Sequence, residues 1–196
     1  MDERFKKQMD FILEIDKSKE IIRQTYISSG SRKENDAEHS WHLAVMALLL
    51  AEYANEEIDV LRTMSMVLIH DLVEIDAGDT YAYDTAGYKT KRERELKAAD
   101  RIFNILPKDQ AEYMRGLWDE FEAGKTPEAR FANSLDKTQP LMLNDAQGGR
   151  SWREHGVSRS MVSKRNEHTA DGASVLGEYV QEKIDKNVKN KNLIDE

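Results

Sequence analysis

The chain has 196 residues, a formal net charge of −8 and no cysteine. That length suits one domain around one sizeable core, and the acidic balance argues against a large nucleic-acid surface. Without cysteine there are no disulfides, thiolate nucleophiles or cysteine-held zinc, so any metal must be held by His, Asp, Glu or backbone oxygen.

No apolar run approaches the ~18 residues of a membrane span. The opening MDERFKKQMDFILEIDKSKE mixes acids with apolar residues and lacks a signal-peptide core. A single cytoplasmic domain over residues 1–196 is expected, with a frayed tail at about 189–196 and no membrane or nucleic-acid partner.

The elements read almost entirely as helix. Phe5, Met9, Ile12 and Leu13 recur at helical spacing, as does the Ile15, Ile21, Ile22 group. SSGSRKEND (Ser28–Asp36) breaks the pattern. Asn35 stands three before Glu38, a capping box that opens a helix near Ala37 whose sequence AEHSWHLAVMALLLAEYA is apolar around most of its circumference. A second central helix is predicted from about Asp59 to Glu74, stopping in DAGDT at Gly78.

TYAYDTAGY reads as a loop. KTKRERELKAADRIFNIL reads as a charged amphipathic helix ended by Pro107, and KDQAEYMRGLWDEFEAG as another ended near Gly124. Pro127 suits the first turn of PEARFANSLDKTQPLMLN, inside which Pro140 predicts a kink or restart after Asp136. DAQGGRSWREHGV is expected as a loop and TADGASVLGEYVQEKIDKNV as a closing helix. The fold class is all-α, a bundle of roughly six or more helices.

One stretch resists a purely structural reading. In VLIHDLVEIDAGDT, His70, Asp71, Glu74 and Asp79 are threaded through an apolar run, and burying such groups unpaired costs roughly 2–7 kcal/mol for a neutral one and more for a charge. His39 lies in the first turn of the other apolar helix, and Asp136 sits mid-helix among apolar neighbours. A divalent cation would offset the cost, because two imidazoles and two carboxylates suit an octahedral metal with open positions, where bound water becomes a better nucleophile. Singly, each residue has an ordinary reading: a satisfied core histidine, an exposed Glu74, a turn-capping Asp79, an Asp136 paired with Lys137 or Arg130.

Together, His39, the His70–Asp71 dipeptide and Asp136 resemble the HD-domain metal-dependent phosphohydrolases. The surrounding words ENDAEHSWHLAVMALLLAE, HDLVEIDAGDTYAYD, DKTQPLMLN and SWREHGV resemble their small single-domain group, which includes bacterial 5′-deoxynucleotidases and eukaryotic HD-domain-containing relatives. The likeness runs from about Ile21 to Val157. It implies an HD-domain bundle with one divalent ion (Mn, Co, Mg, Fe, Ni or Zn) between central helices, held by His39, His70, Asp71 and Asp136. It further implies that Glu74 orients or deprotonates the attacking water and that Asp79 assists by proton transfer or by contacting the ribose.

Arg23 falls where the family carries a substrate-binding arginine. Tyr26 stands in place of the family's usual tryptophan, and Arg32 and Lys33 are further candidates that read equally well as solvated loop charges. Trp41 reads as core or dimer contact, and His42 as a support behind the ligands.

The activity so implied is removal of phosphate from (deoxy)nucleoside 5′-monophosphates. The alternatives are a small alarmone (guanosine tetraphosphate) pyrophosphohydrolase, disfavoured because Ile75 rather than Asp follows Glu74, and a metal- or nucleotide-binding module without turnover. A triphosphohydrolase is further off, since those resemble larger proteins with extra basic surface. The resemblance also implies a homodimer, which the helices around Trp118 and Phe121 could serve, although those positions read equally well as core.

Overall fold

The computed structural model describes residues 2–84 and 86–196. Helix α1 (Glu3–Ile15) is capped by Asp2, whose side chain accepts from the Arg4 amide, and runs into a 3-10 turn at Asp16–Glu20. A short antiparallel hairpin follows, β1 (Ile22–Tyr26) against β2 (Lys33–Asn35), pairing Ile22 with Asn35 and Tyr26 with Lys33 around an irregular register. The sequence predicted no strands here. β2 has three residues, too few to show a two-residue period, and both buried hairpin side chains, Arg23 and Glu34, are charged.

The two central helices are α2 (Asp36–Leu50) and α3 (Val60–Ile69), packed on each other. The capping box at the start of α2 forms as expected, with Asn35 accepting from the Glu38 amide and the Glu38 carboxylate accepting from the Asn35 amide. Leu43, Ala47, Met66 and Val67 are fully enclosed, each large apolar side chain contributing about 1.5–3 kcal/mol by leaving water. The expected helix to Glu74 instead ends at Ile69. From there the chain tightens into three-residue turns, Glu74 N–H donating to Asp71 O (2.9 Å), before a single turn of α4 (Glu74–Ala77). Gly78, at φ +74°, then swings the chain toward Asp79, a conformation that L side chains rarely adopt.

Helices α5 (Tyr88–Phe103) and α6 (Lys108–Ala123) close one side, α6 ending on left-handed Gly124. Trp118 and Phe121 of α6 are core residues, 0% and 5% exposed, the second of the two readings the sequence allows them. Helix α7 (Pro127–Ala146) starts with Thr126 as cap and Pro127 in its first turn. It runs unbroken through Pro140, so the predicted restart does not occur; the proline only removes the N–H that would have bonded the Asp136 carbonyl.

A short α8 (Arg150–His155) lies inside the expected loop, followed by α9 (Arg159–Arg165), α10 (Thr169–Gly172) and α11 (Ser174–Lys189). The tail expected to fray is pinned. Leu193 is buried, Ile194 bridges Ser158, and Ile194 O accepts from the Arg159 amide at 2.8 Å. Leu193 completes a second small core around Trp152, Val162 and Ile184, distinct from the main core of α2, α3, α5, α6 and the first half of α7. The site lies where these two cores meet. No described helix is long and apolar enough to cross a membrane.

Candidate metal centre and active-site cavity

Four elements bring the site together: the first turn of α2, the turn after α3, the middle of α7, and hairpin strand β1. Two imidazole nitrogens and two carboxylate oxygens converge. His39 Nε2 is 3.0 Å from Asp136 Oδ1 and 3.9 Å from Asp71 Oδ2; His70 Nε2 is 3.1 Å from Asp71 Oδ2 and 3.7 Å from Asp136 Oδ1. Neighbouring ligands of an octahedral ion with ~2.1 Å bonds stand roughly 3 Å apart, so these four atoms are spaced as a ligand set. The tightened turn at residues 70–74 contributes to this. Consecutive residues of an ideal helix point about 100° apart, whereas His70 and Asp71 here share one edge of the site.

The outer hydrogen bonds fix which nitrogen of each ring faces inward. His70 Nδ1–H donates to the Val67 carbonyl (2.9 Å). Gln139 Nε2 donates to Glu34 Oε1 (2.7 Å) and to His42 Nδ1 (3.1 Å), which leaves Gln139 Oε1 to accept from His39 Nδ1–H (3.1 Å). Both Nε2 atoms therefore carry a lone pair in the neutral tautomer, aimed at carboxylate oxygens that can only accept. His70 Nε2 is buried without a hydrogen-bond partner among the described residues. Lone pair facing lone pair is repulsive unless a proton or a cation lies between, so the donor set fits a divalent ion.

Without such an ion the cluster holds protons instead. Burial opposes charge on His70, but Asp71 and Asp136 raise its pKa well above the usual imidazole value. His39 is raised in the same way by Asp136 and Glu34, against burial and Arg23. Asp136 and Asp71 are held below the usual carboxylate range despite burial, the former by the His39 hydrogen bond and the nearby His70 imidazole, the latter by the His70 and Arg23 charges.

A second acidic cluster, Asp36, Asp71 and Glu74, adjoins the first. Arg23 crosses it, its Nη1 2.6 Å from Asp71 Oδ2 and 3.1 Å from Asp36 Oδ1. Burial, then the Asp71 charge, pushes Asp36 up to about 7. Glu74 is raised well above its ordinary value by burial, then by Asp71 and Asp36, and its Oε2 has no partner among the described residues. Asp79 is raised mainly by burial.

These groups open on a cavity of about 230 Å³ whose wall includes Arg23, His70, Asp71, Glu74, Asp79 and Asp136. His39 and Asp36 stand behind that wall, 0% and 1% exposed. Tyr26 and Arg32 do not line it. Tyr26 O–H donates to Glu154 beneath the Arg150 guanidinium, which sits 3.9 Å from the ring, and Arg32 is bound by Glu38 at 2.6 Å. Each of these side chains is bonded to a carboxylate of the chain in this structure. Arg23 does line the cavity, but its Nη1 serves carboxylates.

Sequence reasoning missed Asp36, Glu34 and Gln139 behind the candidate ligands, and Lys137, Arg165, Tyr81 and Tyr83 on the wall. Gln139 had a signal, lying one helical turn after Asp136 on the same face of α7. Arg165 had none, standing in the polar stretch SRSMVSKRNEHT.

A family model described as HD domain matches residues 15–176. The chain belongs to the HD-domain family. It is 50% identical to a predicted metal-dependent phosphohydrolase from Magnetospirillum magnetotacticum MS-1, whose crystal structure superposes with a TM-score of 0.94 over 97% of this chain and 96% of that one. It is also 27% identical over 136 residues to the 5′-deoxynucleotidase HDDC2 of Bos taurus and 26% identical over 135 residues to that of Homo sapiens, each match covering 68% of this chain. The matches span 64% and 65% of those two relatives, slightly under two thirds of their length.

Proposed function

We propose that the chain is a metal-dependent phosphohydrolase that releases phosphate from nucleoside 5′-monophosphates, favouring deoxynucleotides. The observation that carries this is the inward-facing pair of Nε2 lone pairs, set against Asp71 and Asp136 and bordered by an unpartnered Glu74, at the wall of one cavity. The relatives named 5′-deoxynucleotidase support the substrate class.

His39, His70, Asp71 and Asp136 would hold the ion, which when bound supplies Lewis acidity to a phosphoryl oxygen and acidifies a coordinated water. Glu74 Oε2 accepts the proton of the attacking water as the new P–O bond forms. Its neighbours Asp71 and Asp36 raise its basicity, and Arg23, by neutralising both, keeps the cluster from excess negative charge. The P–O5′ bond breaks, and Asp79, whose carboxyl holds its proton more tightly than usual, returns a proton to the departing O5′. Gln139 and Val67 O keep both imidazoles in the ligating tautomer throughout.

A cytoplasmic homodimer completes the reading. Trp41, Val45, Leu48 and Leu49 of α2, with Leu61 and Leu68 of α3, form an exposed apolar face that a second copy of the chain would cover.

The test is a phosphate-release panel of ribo- and deoxynucleoside mono-, di- and triphosphates with Mn, Co and Mg. Release from monophosphates that EDTA abolishes is expected. No release from any nucleotide with any metal would replace this reading with a metal-stabilised binding module.

A further inference from the structure

A phosphomonoester dianion entering the cavity must find positive charge in the wall, and four cationic side chains line it: Arg23, Lys91, Lys137 and Arg165. Two of them are spent. Arg23 binds Asp36 and Asp71, and Lys91 is paired with Glu95. The other two are available. Lys137 makes no hydrogen bond or ion pair among the described residues. Arg165 has Asp136 Oδ2 at 4.0 Å, beyond hydrogen-bond reach, and no hydrogen bond among the described residues. Both are part-buried rather than free in solvent.

Their positions follow from the fold. Lys137 is next to Asp136 on α7, so its backbone is as firmly placed as that ligand. Arg165 closes α9, which packs against α11 in the second core. Two like charges are thus held in one wall beside the carboxylate that would bind the ion, with no hydrogen-bonded anion among the described residues to satisfy them. Such an arrangement is unfavourable alone and becomes favourable when an anion brings several acceptor oxygens. Arg offers a planar fork to two oxygens and Lys a point charge to a third.

We propose that Lys137 and Arg165 form the phosphate-binding subsite of this cavity, gripping the non-bridging oxygens of a phosphomonoester beside Asp136, in place of the role expected of Arg23 and Arg32. This rests on the phosphohydrolase reading for the identity of the ester but not for the binding of the anion. They are positioning residues. Proton transfer stays with Glu74 and Asp79, and the nucleoside is left to the rest of the wall, where Tyr81 stands 5.3 Å from Tyr83 and 4.7 Å from His155, ring centre to ring centre.

The experiment is calorimetric titration of inorganic phosphate into the Mn-loaded full chain, alongside titration of Mn into the metal-free chain, for the parent and for Lys137→Gln, Arg165→Gln and the charge-retaining Lys137→Arg. Each Gln variant is expected to weaken phosphate binding about tenfold or more, the scale of one charge-assisted hydrogen bond. Mn affinity should move by less than about threefold, and Lys137→Arg should recover most of the phosphate affinity. Phosphate binding equal to the parent's in both Gln variants, or no phosphate binding by the parent, overturns the subsite. Loss of phosphate binding in Lys137→Arg equal to that in Lys137→Gln also overturns it, because charge would then not be the cause. If the parent cleaves no nucleotide while phosphate binding still depends on both side chains, the phosphohydrolase reading fails and the subsite stands.

Discussion

Two clusters of acids meet at Asp71, and they differ in what they lack. His39, His70 and Asp136 bring nitrogen lone pairs and a carboxylate face to face and lack a positive charge between them. Asp36, Asp71 and Glu74 are all carboxylates, and Arg23 already stands among them, bonded to two of the three. The first cluster is therefore suited to a cation, while the second, already served by one, is left to accept a proton at Glu74. Gathered acids alone do not mark a metal site. What marks it here is that Val67 O and Gln139 Oε1 occupy the outer nitrogens and leave the inner ones without protons to offer.

The sharpest break of this comparison comes from removing one member of each cluster. Asp136→Ala should abolish stoichiometric metal binding and bring phosphate release to background, measured by calorimetry and by a phosphate assay. Glu74→Gln should leave metal binding in place and lower kcat by about 10²–10⁴, the usual contribution of a general base. Equal metal loss in both variants would mean that the two clusters act as one.

A smaller effect probes the outer bonds. Gln139→Leu removes the acceptor that holds His39 Nδ1–H and should weaken metal affinity about 10–100-fold, read by competition with a chelator.

The pH dependence of stability distinguishes the clusters without mutation. His70 carries a raised pKa, so the stability it contributes is fully present below its unfolded value near 6.5 and is lost as pH rises through the folded one. Asp36, raised to about 7 from 3.8, binds its proton more tightly when folded, so it too withdraws stability as pH rises between about 4 and 7. The metal-free protein should therefore show a Tm that falls from pH 6 to 8. With a saturating divalent ion the trend should flatten or reverse, since the ion binds the deprotonated donors. Asp136, whose pKa is depressed, contributes stability that is lost only as pH falls through the acid range below its unfolded value, outside this window.

The smallest effect on chemistry is expected at the α2–α3 face. Leu48→Lys should shift sedimentation from dimer to single chain while changing kcat less than about threefold, because Leu48 lines neither cluster nor the cavity.

Much of this was legible in the sequence where one pattern had one physical meaning. The Asn35–Glu38 box, Pro127 in a first turn and Gly124 after a last one fixed helix ends, and the HD pair with His39 and Asp136 named four side chains that the fold brings together. The misreadings have physical causes. Pro140 looked like a break, but its ring lies inside a helix packed on several sides, and tertiary contact outweighed one lost bond. The tail looked polar, yet one buried Leu193 and backbone bonds to residues 157–160 dock it. That Asp36 and Asp71 bond Arg23 was also invisible, since they stand 13 and 48 positions from it in the chain. Lys137 and Arg165, neither of them hydrogen-bonded among the described residues, are separated by 28 positions and share a wall only after α7 and α9 are folded together.

The most direct test is anomalous diffraction from crystals grown with Mn. The account predicts one strong peak within bonding distance of His39 Nε2, His70 Nε2 and the Asp71 and Asp136 carboxylates, with Glu74 near the ion but outside its bonded set. No peak at that position, with the imidazoles hydrogen-bonded directly to the carboxylates at full metal saturation, would contradict it.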